Sequence, residues 1–102
     1  MSLAAGRMNK RVEIESRVHG DDADTWRYLA SVWAEIKPMN GDERFAKGET
    51  ESDITHRITM RDHLDITPSN RIKYGSRYFE IRSVVNVGES GEYLEIDAKE
   101  SL

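Results

Sequence analysis

Four stretches of this chain alternate apolar and polar residues with a period of two, and that period constrains the fold more than any motif does. In "ITHRITMR" (54–61), Ile54, His56, Ile58 and Met60 share one side of an extended chain, while Thr55, Arg57, Thr59 and Arg61 share the other. "RVEIESRV" (11–18) sets Val12, Ile14, Ser16 and Val18 against Arg11, Glu13, Glu15 and Arg17. "YFEIRSVVNV" (78–87) places Phe79, Ile81, Ser83, Val85 and Val87 on one side, and "YLEIDA" (93–98) does so with Leu94, Ile96 and Ala98. Successive side chains of a strand point to opposite faces, so each stretch reads as a strand with one buried and one wet face.

Turn signals separate these strands. Gly75 and Ser76 form a two-residue connection inside "RIKYGSRYFEI", and glycine at its first position suits a type II′ hairpin, which demands positive φ there. Gly88 and Gly91 mark a looser hairpin in "NVGESGEYL". Short strands with turns at this spacing predict an all-β barrel or sandwich.

"WRYLASVWAEIK" (26–37) fits two periods. Trp26, Leu29, Ala30 and Trp33 make a helical stripe; Tyr28, Ala30, Val32, Ala34 and Ile36 make a strand stripe. We favour the strand, which turns Trp33 outward beside Glu35 and Lys37 and ends at Pro38. Residues 38–53 break the pattern and form one long loop with room for a short helix. Asn40 and Glu43 have the spacing of a capping box, and Gly48 is a stop signal after Phe45 and Ala46. From residue 39 to 53 the apolar side chains are Met39, Phe45 and Ala46, too few to offset an ordering cost of roughly 1–2 kcal/mol per residue. The sequence therefore predicts a loop that is mobile in the free subunit, with at most a transient helical turn after Asn40.

A chain of 102 residues suits a single domain spanning 1–102. Its net charge of −4 disfavours generic binding to nucleic-acid phosphates, although a local basic face of Arg57 and Arg61 with Arg71, Lys73, Arg77 and Arg82 is compatible with it. The absence of cysteine excludes disulfides and thiolate metal sites. No apolar run approaches the roughly 20 residues of a membrane-spanning helix, and "MSLAAGRM" lacks the apolar core of a secretory signal.

The chemistry-bearing residues point away from catalysis. His56 and His63 lie seven apart with no zinc-binding helix between them. "HGDDADT" (19–25) crowds His19 with Asp21, Asp22 and Asp24 but lacks the glycine and distal glutamate of a calcium loop. Nucleophile elbows and phosphate loops are missing, and the carboxylates alternate with apolar residues as wet strand faces do. The expectation is a non-enzymatic chain without cofactor or metal, with His56 packed and hydrogen-bonded in the apolar row.

"GRMNKRVEI" near the start, "SVWAEIKPMNGDE" (31–43), "THRITMR" (55–61) and "ITPSNRIKYGSRYFEIRSVVNV" (66–87) occur in an order that resembles the head-tail joining proteins of long-tailed bacteriophages, the head-closure or stopper family. The resemblance implies a small antiparallel β-barrel that assembles as a ring homo-oligomer at the head-tail interface of a virion. Such a ring meets portal or connector proteins on one side and tail proteins on the other. It closes the DNA-filled head and lets DNA pass without reading its sequence, after a stay in the bacterial host cytoplasm. On that reading Trp33, Arg57, Arg61 and Arg77 are the expected assembly interface, and Asp42, Glu43, Arg44 and Phe45 the expected loop or channel residues. Two alternatives are another phage ring component, such as a tail terminator, and a small β-barrel module for peptides or single-stranded nucleic acid. The last needs exposed aromatics, from Tyr28, Trp33, Tyr78 and Tyr93, clustered on a basic groove.

Overall fold

The computed structural model describes residues 7–18, 25–39, 54–61, 65–86 and 93–101. They form six strands: β1 (Lys10–Val18), β2 (Thr25–Pro38), β3 (His56–Arg61), β4 (Asn70–Tyr74), β5 (Arg77–Asn86) and β6 (Tyr93–Ser101). Every pairing is antiparallel, and the order β1-β2-β3-β6-β5-β4 closes on itself through β4 and β1, making a barrel. Closure gives every strand a neighbour on both sides over part of its length, so the wall is held by hydrogen-bonded pairs all the way round.

The period-two rows meet inside. Val12, Ile14, Val32, Ala34, Ile58, Met60, Ile72, Phe79, Ile81, Leu94, Ile96 and Ala98 form one buried cluster, with Ile66 closing it and Ile36, Tyr74 and Val84 packed against it. Residues 26–37 are strand, as the alternation of Val32, Ala34 and Ile36 favours, and Trp33 faces outward with 54% of its surface exposed. All described elements are strands.

Two bulges shift the expected phase. Ile14 pairs with Ala30 but Glu15 pairs with Tyr28, so Leu29 is an extra residue on β2. Beyond it the stripe slips, and Tyr28, expected inside, is 56% exposed. On β5, Ile81 pairs with Ala98 and Ser83 with Asp97, leaving Arg82 as the extra residue. Val84 thereby turns to the core and Val85, expected inside, is 52% exposed. A bulge places two residues opposite one and so reverses which parity faces the core. Val18, at the far end of β1, is also exposed.

The boundary at Pro38 moves as well. Pro38 pairs with His56 as the last residue of β2, and Met39 is buried, its amide donating to the Thr55 carbonyl at 2.9 Å. A strand end tolerates proline because its missing N–H is not needed there. Pairing thus includes Pro38 and hydrogen bonding reaches Met39, past the boundary expected at residue 38. The short-helix expectation, Asp42, Glu43, Arg44 and Phe45, the aspartate turn at His19, and the hairpin at Gly88 and Gly91 lie outside the described residues.

Two turns fix the remaining register. Gly75 adopts φ +63° between the paired Tyr74 and Arg77, the positive φ a two-residue hairpin requires. In "TPSN" the Asn70 amide donates to the Thr67 carbonyl at 2.9 Å, and the buried Asn70 side chain accepts from the Thr67 amide at 2.8 Å. The same side chain donates to the Glu15 carbonyl at 3.4 Å, tying this turn to the bulged part of the β1–β2 pair.

Candidate functional site

His56 occupies the end of the inward row of β3, where the core gives way to the barrel mouth. Its ring packs edge-on against Phe79 with centroids 5.1 Å apart. Nδ1 lies 2.8 Å from Thr55 Oγ1 and Nε2 lies 3.4 Å from Arg77 Nη2. An arginine has protons to donate and no lone pair to offer, so Nε2 accepts and Nδ1 carries the proton to Thr55. Thr55 Oγ1 also accepts the Glu100 amide at 2.7 Å. This explains a histidine in an apolar row: its flat face is packed and both nitrogens are bonded, while the Glu100 carboxylate stays 3.9 Å from Nε2. Among the described residues no group of three His, Cys, Asp or Glu is placed to hold a metal ion.

Arg77 caps this corner. Its Nε and Nη2 donate to the two Glu100 oxygens at 2.8 and 3.1 Å, a bidentate pair, and its guanidinium lies 5.1 Å from the Phe79 ring centre. The hydrogen bond from Arg77 holds the Glu100 carboxyl below the ordinary carboxylate range, and the same bond raises Arg77 above its ordinary value.

The basic face read from the sequence divides in the structure. Arg57 lies 3.4 Å from Glu95 and 3.3 Å from Asp97, whose other oxygen accepts from Ser83 Oγ at 3.2 Å. Arg71 contacts Glu15 at 2.7 Å, Lys73 contacts Glu13 at 3.7 Å, and Arg82 contacts Glu80 at 3.2 Å. These are cross-strand or same-strand ion pairs that the wall satisfies itself. The more exposed of them, Lys73–Glu13 and Arg82–Glu80, contribute roughly 0–1 kcal/mol each.

Arginine–aromatic contacts are the feature that the sequence did not reveal. Arg71 lies 4.2 Å from the centres of both Trp26 and Tyr78, Arg17 lies 5.0 Å from Trp26, and Lys73 lies 5.9 Å from Tyr78. The stack crosses β2, β1, β4 and β5 and borders a cleft of about 190 Å³ that Arg17, Trp26, Asn70, Arg71, Glu80 and Arg82 help to line. Pairing of Arg17 with Trp26 follows from register, but contact with Arg71 depends on β1 meeting β4, which local sequence does not encode.

A second row runs around another part of the wall. Arg11 pairs with Trp33 and stacks on it at 5.3 Å; Arg61 pairs with Tyr93 and stacks on it at 5.7 Å. Ala34 pairs with Met60, so Trp33 and Arg61 are the next residues along β2 and β3. The structure therefore brings Trp33 and Arg61 together, and separates them from Arg57, which is paired with acids, and from Arg77 at the mouth. Of the four aromatics that a nucleic-acid groove would use, Tyr93 is buried and Tyr78 is half-buried beneath Arg71 and Lys73. Tyr28 and Trp33 are the exposed two, and Tyr28 Oη bonds Ser31 Oγ at 2.9 Å.

Comparison with known proteins matches this chain over residues 3–101 to the family described as phage head completion protein. The barrel is similar to a Shigella flexneri 2a protein solved in solution, with a TM-score of 0.77, 22% identity, and coverage of 99% of this chain and 97% of that one. It is also similar to a chain in the virion of a native gene transfer agent particle, with a TM-score of 0.67, 23% identity, and coverage of 93% and 96%. No curated protein sequence matches the chain.

Proposed function

The chain belongs to the phage head completion protein family, and we propose that it acts at the head-tail interface as a ring of identical subunits that closes the DNA-filled head and docks the tail. The observation that carries this reading is the reach of the family match, residues 3–101, which takes in every strand of the barrel. The likeness to a chain of a gene transfer agent virion supports a place in the particle.

The mechanism is geometric and non-enzymatic. A closed barrel is a rigid block, and subunits meet through side chains of the outer wall and through the connections between strands. A surface of one sign on one flank and the other sign elsewhere suits a head-to-tail contact, which closes into a ring when the rotation per subunit divides the circle. Trp33, Arg57, Arg61 and Arg77 are the proposed wall contacts, and Asp42, Glu43, Arg44 and Phe45 the proposed contacts of the long connection with a neighbour or the channel. Acidic connections turned toward the channel repel DNA phosphates and ease passage without sequence-specific binding. Portal or connector proteins and tail proteins are the proposed partners on the two faces of the ring.

Deletion of the gene from a particle-producing strain, with complementation in trans, tests the proposal. The expected result is heads and tails that accumulate unjoined, with joining restored by the complementing copy. Normally joined, infectious particles from the deletion strain would overturn it.

A further inference from the structure

The net charge of −4 conceals a segregation by structure. The described residues carry thirteen Lys and Arg against eight Asp and Glu, a net of +5, while the remaining residues carry two against eleven, a net of −9. The strands and their close flanks are basic, and the other connections are acidic. Within the basic wall, Arg57, Arg71, Lys73, Arg77 and Arg82 each meet a carboxylate. Arg11 and Arg61 do not: among the described residues their contacts are the rings of Trp33 and Tyr93. The nearby Glu35 pairs across the sheet with Thr59.

We infer that the row Arg11–Trp33–Arg61–Tyr93 is the docking face for a second copy of this chain, whose acidic 40–53 connection supplies the carboxylates. This rests on the ring proposed above and names the surface that makes it. The chemistry is complementary at both levels. Arg11 and Arg61 are exposed and stacked on aromatic rings, and a guanidinium held in this way binds a carboxylate in bidentate fashion. The exposed Trp33 between them offers the rigid apolar anchor that interface centres favour. The 40–53 segment carries Asp42, Glu43, Glu49, Glu51 and Asp53, five of the eleven carboxylates, against Arg44 and Lys47, a net of −3, together with an aromatic group, Phe45. Nucleic acid is the weaker occupant, because among the described residues only Trp33 and Tyr28 are exposed aromatics, and the acidic connections repel phosphates.

Replacement of Trp33 by the photocrosslinker p-benzoylphenylalanine in the particle-producing strain tests the assignment, with Arg11 replaced in the same way as a second position. Irradiated, purified particles are expected to yield a covalent dimer of this chain, with the crosslink mapped within residues 40–53 of the second copy. The charge-reversed pair Arg11→Glu and Arg61→Glu should lower the yield of joined particles at least tenfold, and lysines at Asp42, Glu43, Glu49 and Glu51 should recover it. A crosslink to another virion protein or to DNA, or no crosslink at either position, overturns this docking face while the virion reading stands. Absence of the chain from particles made by the unaltered strain defeats that reading itself, and the docking face with it.

Discussion

Ile58 and Thr59 are neighbours in sequence and face opposite worlds, and introducing charge at each turns the strand phase into a measurable energy. Ile58 is fully buried and pairs with Ile36 on one side and Ile96 on the other. An aspartate there must lose its charge to remain inside, and neutralising a carboxyl at pH 7 against an ordinary value near 3.9 costs about 4 kcal/mol. Losing the buried aliphatic side chain adds roughly 1.5–3 kcal/mol. Ile58→Asp should therefore destabilise the barrel by about 6 kcal/mol at pH 7, comparable to the whole stability of a domain of this size, about 5–15 kcal/mol. The penalty depends on pH in a fixed direction. The folded-state value of the new carboxyl is raised, so the unfolded chain sheds its proton first, and the penalty grows as pH rises above about 4. Near pH 4 the cost should fall to that of the lost burial alone.

Thr59 sits on the wet face between two carboxylates, paired with Glu35 on β2 and Glu95 on β6. Position 59 consequently discriminates charge sign. Cross-strand pairs contribute roughly 0.2–1 kcal/mol each, so Thr59→Asp should destabilise and Thr59→Lys should be neutral or stabilising within that range. Urea unfolding followed by tryptophan fluorescence at pH 4 and pH 7 reads all three variants. Ile58→Asp and Thr59→Lys within 1 kcal/mol of each other at pH 7, or an Ile58→Asp penalty that does not change with pH, would refute the assigned phase.

Gly75→Val should cost about 1–2 kcal/mol, whereas Gly75→Asn should cost little: a Cβ at this position meets open space, so φ +63° is the whole penalty, and thermal unfolding reads it. Asn70→Ala should cost about 1–3 kcal/mol by chemical denaturation, since it leaves the Thr67 amide and the Glu15 carbonyl without their side-chain partner. Glu100 has its folded value lowered chiefly by the Arg77 hydrogen bond, so its contribution is present above the ordinary 4.5 and lost as pH falls through the folded value. Glu100→Gln should therefore narrow the loss of unfolding free energy between pH 5 and pH 3, by under about 1 kcal/mol because the pair is partly solvated; an unchanged acid profile in chemical denaturation would remove Glu100 from the account.

The architecture was legible where a single physical rule governs many residues. Val12, Ile14, Ile58, Met60, Leu94 and Ile96 all point inward as period two requires, and Gly75 marks its turn because φ there is positive. The places where the reading slipped are those where one residue changes parity. Leu29 and Arg82 carry no compositional mark of a bulge, so Tyr28 and Val85 were expected on the wrong face. Asp97 illustrates a different limit: it belongs to a wet row, yet it is 5% exposed because Arg57 and Ser83 close over it from neighbouring strands. The candidate surface was only half legible for the same reason. Trp33 and Arg61 were singled out from their outward positions, but their placement next to each other, with Arg11 and Tyr93, comes from strand order, and strand order is a property of the closed barrel.

The central claim, that this chain is a component of the particle at the junction of head and tail, is tested most directly by cryo-electron microscopy of particles purified from a strain that carries the gene. The account predicts six-stranded barrels repeated around the particle axis between the head vertex and the tail, with the Arg11–Trp33–Arg61–Tyr93 row against a neighbouring copy. Particles with a fully interpreted junction that contains no copy of this barrel would contradict it.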